Sequence, residues 1–128
     1  MNVDTYFESV RKRLLTDSLI IWHEVLVERA SPRNGYFRAR VYFIDNSMMD
    51  FSEFIVPQEN GELERIDYRF HWQDAQNGLI RRWDNTPHFP ALPGFPHHVH
   101  NGQTGEVSAG KPVDFFAVLD EIASIFQK

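Results

Sequence analysis

Two hydrophobic periods divide the chain. Val3, Phe7, Val10 and Leu14 recur at spacings of four, three and four, which predicts a helix with one apolar face. Asn2 or Asp4 can cap it, and Asp4 and Glu8 lie near its positive end. From residue 18 the period falls to two. Segments 18–29, 36–45, 47–56, 61–74 and 78–85 are each rich in β-branched and aromatic residues. Turn signals separate them at Asn34-Gly35, Asp45-Asn46-Ser47, Asn60-Gly61 and Asn77-Gly78. Connections this short predict an antiparallel meander, because a parallel crossover needs far more chain. Residues 86–111 carry no clear period. Helical spacing then returns at Phe115, Leu119, Ile122 and Phe126, with Val118 and Ile125 widening the stripe. The expected fold is one α+β domain over residues 1–128. It consists of a meander of about five strands, an N-terminal and a C-terminal helix, and a proline- and histidine-rich loop.

Alternation assigns side chains to the two sheet faces. In the second strand Phe37, Ala39, Val41 and Phe43 point one way, and Tyr36, Arg38, Arg40 and Tyr42 the other. In the fourth, Ile66, Tyr68, Phe70 and Trp72 form the apolar row, opposite Arg65, Asp67, Arg69 and His71. The fifth puts Arg81 and Trp83 on one side and Arg82 and Asp84 on the other. His23 shares an otherwise apolar row with Leu19, Ile21, Val25 and Val27, which points to a hydrogen-bonded core histidine. Paired as a meander, these strands gather arginine, histidine and tyrosine on one face. Guanidinium forks grip phosphate and tyrosines stack on bases, so the face suits RNA. A solvated outer face would carry the same residue types.

A formal net charge of −5 argues against a surface that binds nucleic acid everywhere, and leaves room for a local basic patch. The absence of cysteine removes disulfides, thiolate zinc sites and a cysteine nucleophile. No apolar run approaches the roughly 18 residues of a membrane span, and the first residues lack a signal-peptide pattern. A cytoplasmic protein without membrane contact is expected.

Residues 87–100 read "PHFPALPGFPHHVH" and hold four of the six histidines. Their prolines fix φ and remove donors, so the stretch is stiff yet irregular. His98 and His100, two residues apart, can face one metal ion from an extended backbone, with His88 or Asp84 as a third ligand. The spacing matches no strong metal motif. The same imidazoles can serve acid–base chemistry beside Arg69 and His71. Metal-independent RNA cleavage needs a base for the 2′-hydroxyl, an acid for the leaving oxygen and cations for the phosphorane.

"YRFHWQD" (68–74), "RWDN" (82–85), "PH" (87–88) and "FPHHVH" (95–100) occur in this order. Together they resemble the TumE family of toxins from toxin–antitoxin modules, and the overall order of elements is similar as well. Thr86 stands where that family usually has alanine, and Phe89 where it has the second histidine of "PHH". The resemblance implies a growth-inhibiting toxin neutralised by a helix-turn-helix antitoxin. Joined to the arginine-rich face, it gives an RNA-acting site with His71, His88, His98 and His100 as acid–base candidates and Asp84 orienting a histidine. Arg69, Arg82, Arg40, Tyr68 and His97 would hold substrate. No cofactor and no metal are expected, and a homodimer is a further expectation. Two other readings compete: a non-catalytic module binding protein or nucleic acid, and a metal-dependent hydrolase built on the histidine cluster.

Overall fold

The computed structural model describes residues 2–87 and 89–127. Helix α1 spans Val3–Thr16 and helix α2 spans Phe115–Phe126. Asn2 caps α1, its side chain accepting from the Thr5 amide at 2.8 Å, and Asp114 caps α2 by accepting from Ala117 at 2.8 Å. Between them run β1 (Ile20–Ala30), β2 (Gly35–Phe43), β3 (Met48–Pro57), β4 (Leu63–Gln73) and β5 (Leu79–Asp84). Then come β6 (His98–Asn101) and β7 (Val107–Ala109). All pair antiparallel, in chain order, in one sheet. The meander therefore has seven strands, not about five. The aperiodic segment supplies the last two, and strands of four and three residues are too short for a period to register.

Both helices cover the same face. Phe7 of α1 meets Phe37, Phe115 of α2 stacks on Phe51 at 4.8 Å, and Phe126 packs edge-on against Phe43. Phe7, Phe37, Phe43, Phe51, Phe70 and Phe115 are completely buried. Each such ring contributes about 1.5–3 kcal/mol from water exclusion. The opposite face is left to its arginines.

Four register shifts among the described residues depart from simple alternation, one of them between the pairs Trp72–Arg81 and Gln73–Leu79 of β4 and β5. A bulge in β4 puts Arg65 and Asp67 opposite the adjacent Ile55 and Phe54, leaving Ile66 over. Ile66, expected in the apolar row, is thereby turned out and exposed, while Arg65 turns inward to Glu53. The Asn85 side chain braces the bulge, accepting from the Tyr68 amide at 2.9 Å and donating to the Ile66 carbonyl at 3.0 Å. On β1, two register shifts break the apolar row. Ile21 and Val25 are exposed and His23 is only half-buried opposite Val41, so the core-histidine expectation fails. β1 is an edge strand, paired only with β2.

Gly35 differs from the other expected turn glycines. It opens β2 with ordinary φ, whereas Asn46, Gly61 and Asn77 supply the positive φ of the later turns. Its role is close approach: a Cβ there would lie 2.3 Å from Val3 Cγ1 and 2.9 Å from the Phe7 ring. Gly35→Ala is expected to destabilise the fold by about 1–3 kcal/mol through overpacking, more than the roughly 0.4–1 kcal/mol gained from a stiffer unfolded chain. Urea denaturation measures the net change.

Candidate functional site

The sheet register aligns polar side chains in two rows across the open face. One row runs Arg40, Asp50, His71, Arg82 and His100 across β2 to β6. The adjacent row runs Arg38, Ser52, Arg69, Asp84 and His98. "YRFHWQD" is thus split by alternation. Tyr68, Phe70 and Trp72 are buried on the helix side, while Arg69 and His71 stand on the open face. Asp74 closes the following turn by accepting from the amides of Gln76 and Gly78.

Arg40, Tyr42, Met48, Asp50, Arg69, His71, Gln73 and Arg82 line a cavity of about 390 Å³. Three guanidinium groups meet one carboxylate there, which leaves the cavity positive. Asp50 binds Arg38 through two contacts, at 3.2 and 2.9 Å, and Arg40 at 3.3 Å. Burial alone would raise its pKa, but the Arg38 and Arg40 bonds outweigh that and hold it low. Arg69 Nε is buried with no hydrogen-bond partner among the described residues. A buried unpaired guanidinium N–H is costly, and an anion in the cavity is the kind of group that relieves it.

Burial holds the His71 pKa below the ordinary imidazole value of 6.5, and the charges of Arg82 and Arg69 push the same way. His71 is therefore neutral at neutral pH and can accept a proton.

One strand further, the proline-rich segment folds over the end of the face. Phe89 packs edge-on against His98 at 5.5 Å and His100 at 6.2 Å. Beneath it Asp84 and His98 are buried, each 2% exposed. Asp84 joins Arg82 Nε at 2.8 Å and His98 Nε2 at 2.7 Å, and accepts from the Thr86 amide at 3.1 Å. On its other side the His98 ring is held by the Pro96 carbonyl, 2.9 Å from Nδ1. His100 stays half-buried, its Nε2 at 3.9 Å from Asp84.

Asp84, His98 and His100 offer three ligand atoms within 4.8 Å of one another, which makes them the residues best placed to hold a metal ion among the described ones. Arg82 already bonds to that carboxylate, and a second cation beside it would meet like charge.

Of the expected substrate residues, Arg40, Arg69 and Arg82 converge on the cavity. Tyr68 and His97 do not. They lie on the helix side, the Tyr68 hydroxyl 2.8 Å from His97 Nδ1 and the rings stacked at 5.7 Å, lining a different cavity of about 570 Å³. Even-numbered positions of β4 here face the helices, which separates Tyr68 from Arg69. His88 lies outside the described residues. Asp50, absent from the expected set, was signalled by its place between buried Met49 and Phe51.

No helix among the described residues is long and apolar enough to cross a membrane. No curated protein and no solved structure matches the chain. The family model described as Toxin TumE matches residues 10–127 of the 128, and the chain belongs to that family.

Proposed function

We propose that this toxin acts on RNA, cleaving a phosphodiester held over the arginine-lined cavity. The observation carrying this reading is that Arg40, Arg69, Arg82 and His71, from three strands, line one cavity in which the buried Arg69 Nε has no hydrogen-bond partner among the described residues. His71 and His100 flank Arg82 in the same row, two strand spacings or roughly 10 Å apart along the backbone.

In this mechanism His71 takes the proton of the 2′-hydroxyl and that oxygen bonds to phosphorus. The arginines stabilise the charge gathering on the non-bridging oxygens. The bond from phosphorus to the 5′-oxygen breaks, and His100 gives that oxygen a proton. The products are a 2′,3′-cyclic phosphate and a 5′-hydroxyl. Asp84 and His98 are buried, so they act as positioning residues that hold Arg82 and the β5–β6 pairing. The partner that silences the toxin would be a helix-turn-helix antitoxin, as the family resemblance implies.

Purified protein incubated with total RNA is expected to yield cyclic-phosphate ends with or without EDTA. Loss of cleavage under EDTA, restored by Zn²⁺ or Mn²⁺, would instead favour a hydrolase using Asp84, His98 and His100 as metal ligands. No cleavage by folded protein, together with no growth arrest on expression, refutes the RNA reading. Asp84→Asn removes the charge facing Arg82 and His98. It is expected to lower cleavage roughly tenfold, within the range for residues that position a reacting group, and initial rates measure it.

A further inference from the structure

We infer that Trp22 and Tyr42 form a base-stacking subsite that makes the toxin selective for single-stranded RNA. This rests on the proposed RNA reading and adds the form of the substrate. Three observations converge on it. Trp22 is 64% exposed, whereas Trp72 and Trp83 are buried at 1% and 2%. Its register partner is Tyr42, and the row continues through Met48 to Gln73, so Trp22 stands on the open face. Tyr42, Met48 and Gln73 all line the arginine cavity. An exposed indole thus borders a positive cavity, separated from it by one aromatic residue.

Charge decides what reaches this edge. Glu24, paired with Arg40, stands two positions from Trp22 on β1. Phosphate is repelled there and favoured over Arg40, Arg69 and Arg82. An uncharged base is the part of a nucleotide that suits β1. β1 is about 14 Å from β4 at the usual strand spacing, the span of about two extended nucleotides beyond the held phosphate. Stacking on an exposed ring requires a base free of its own duplex, so single strands are selected. Sequence preference should be weak, since every base has a face to stack.

The test uses a hexauridylate with 2′-O-methyl groups, which cannot be cut because it lacks the attacking hydroxyl. Binding to the full chain is expected to quench the fluorescence of the one exposed tryptophan. In anisotropy competition Trp22→Ala should weaken hexamer binding on the order of tenfold, as loss of one stacked base implies. The loss should be smaller for a dinucleotide, and Trp22→Phe should restore most of the affinity. Leu15→Ala, an exposed apolar residue on α1, is the control that changes nothing.

Equal hexamer affinity in Trp22→Ala and the unaltered chain overturns the subsite. So does a paired duplex binding as tightly as the single strand. If RNA leaves Trp22 fluorescence unchanged while antitoxin or a second copy quenches it, Trp22 belongs to a protein interface instead. RNA cleavage that persists with an indifferent Trp22 sinks only this inference. Absence of both cleavage and hexamer binding sinks the RNA reading itself.

Discussion

Replacing His71 with alanine is expected to lower RNA cleavage by about 10²- to 10⁴-fold and to abolish growth arrest, with the fold intact. That is the usual contribution of a positioned general base. His71 is well suited to the role because its neutral form is favoured by burial, by Arg82 and by Arg69. The sign of the pH dependence follows. A base whose pKa is held below 6.5 stays competent as the pH falls past 6.5, and loses activity only below that lowered value. A His71 acting as general acid would do the reverse, losing activity as pH rises through the same value. The acid limb of kcat/KM separates the two, and His71→Gln should remove that limb while keeping the side chain's size and polarity. Full cleavage by His71→Ala, verified as folded by circular dichroism, would eliminate the proposed base.

The same arrangement explains why the histidine-rich stretch is irregular. His98 is fixed from both sides, by Pro96 and Asp84, and β6 is held between β5 and β7. Prolines 87, 90, 93 and 96 restrict the path of the chain between β5 and β6, so the pairing of His98 with Asp84 and of His100 with Arg82 begins from a limited set of conformations. A flexible glycine linker would lose more entropy in reaching the same register.

Alternation was enough to place Arg40, Arg69, His71 and Arg82 together, because β2, β4 and β5 keep strict two-residue periods where they line the cavity. It failed wherever a bulge resets the count, at Ile66 in β4 and at Ile21 in β1. A one-residue insertion exchanges the faces of everything beyond it, and no propensity marks its position. The burial of Asp84 and His98 was likewise illegible. It depends on the proline segment closing over the face, a tertiary event with no local period. Tyr68 lies away from the cavity for a simpler reason: a motif contiguous in sequence occupies both sides of a strand. Glu53, in contrast, left a signal. It interrupts the buried series Met49, Phe51 and Ile55, and a carboxylate there demands a buried cation.

That cation is Arg65, and removing it is expected to cause a large stability loss. Glu53 is completely buried, accepting from the Tyr6 hydroxyl at 2.7 Å and from Arg65 Nε at 2.7 Å. Arg65 also lies over the Tyr6 ring at 4.6 Å and reaches Asp114, the cap of α2, at 3.6 Å. The cluster therefore ties β3 and β4 to both helices. Burial pushes the Glu53 pKa up, and Arg65 is the leading influence pulling it back. Arg65→Ala strips that compensation and should destabilise the fold by about 3–5 kcal/mol at neutral pH, the usual result of leaving one buried charge alone. The loss should shrink in acid. Without Arg65 the folded-state pKa of Glu53 rises further above its unfolded value near 4.5, so the folded chain binds the extra proton. Stability is then fully retained below the unfolded pKa and lost as pH rises through the folded one. Urea titrations of the variant at several pH values measure this slope. Replacing Glu53 and Arg65 with methionine, together with Tyr6→Phe, should recover most of the loss, because no buried polar group is left without a partner. A pH-independent loss in Arg65→Ala, unrepaired in the triple variant, would mean that Arg65 acts through its packing on Tyr6 and not through its charge.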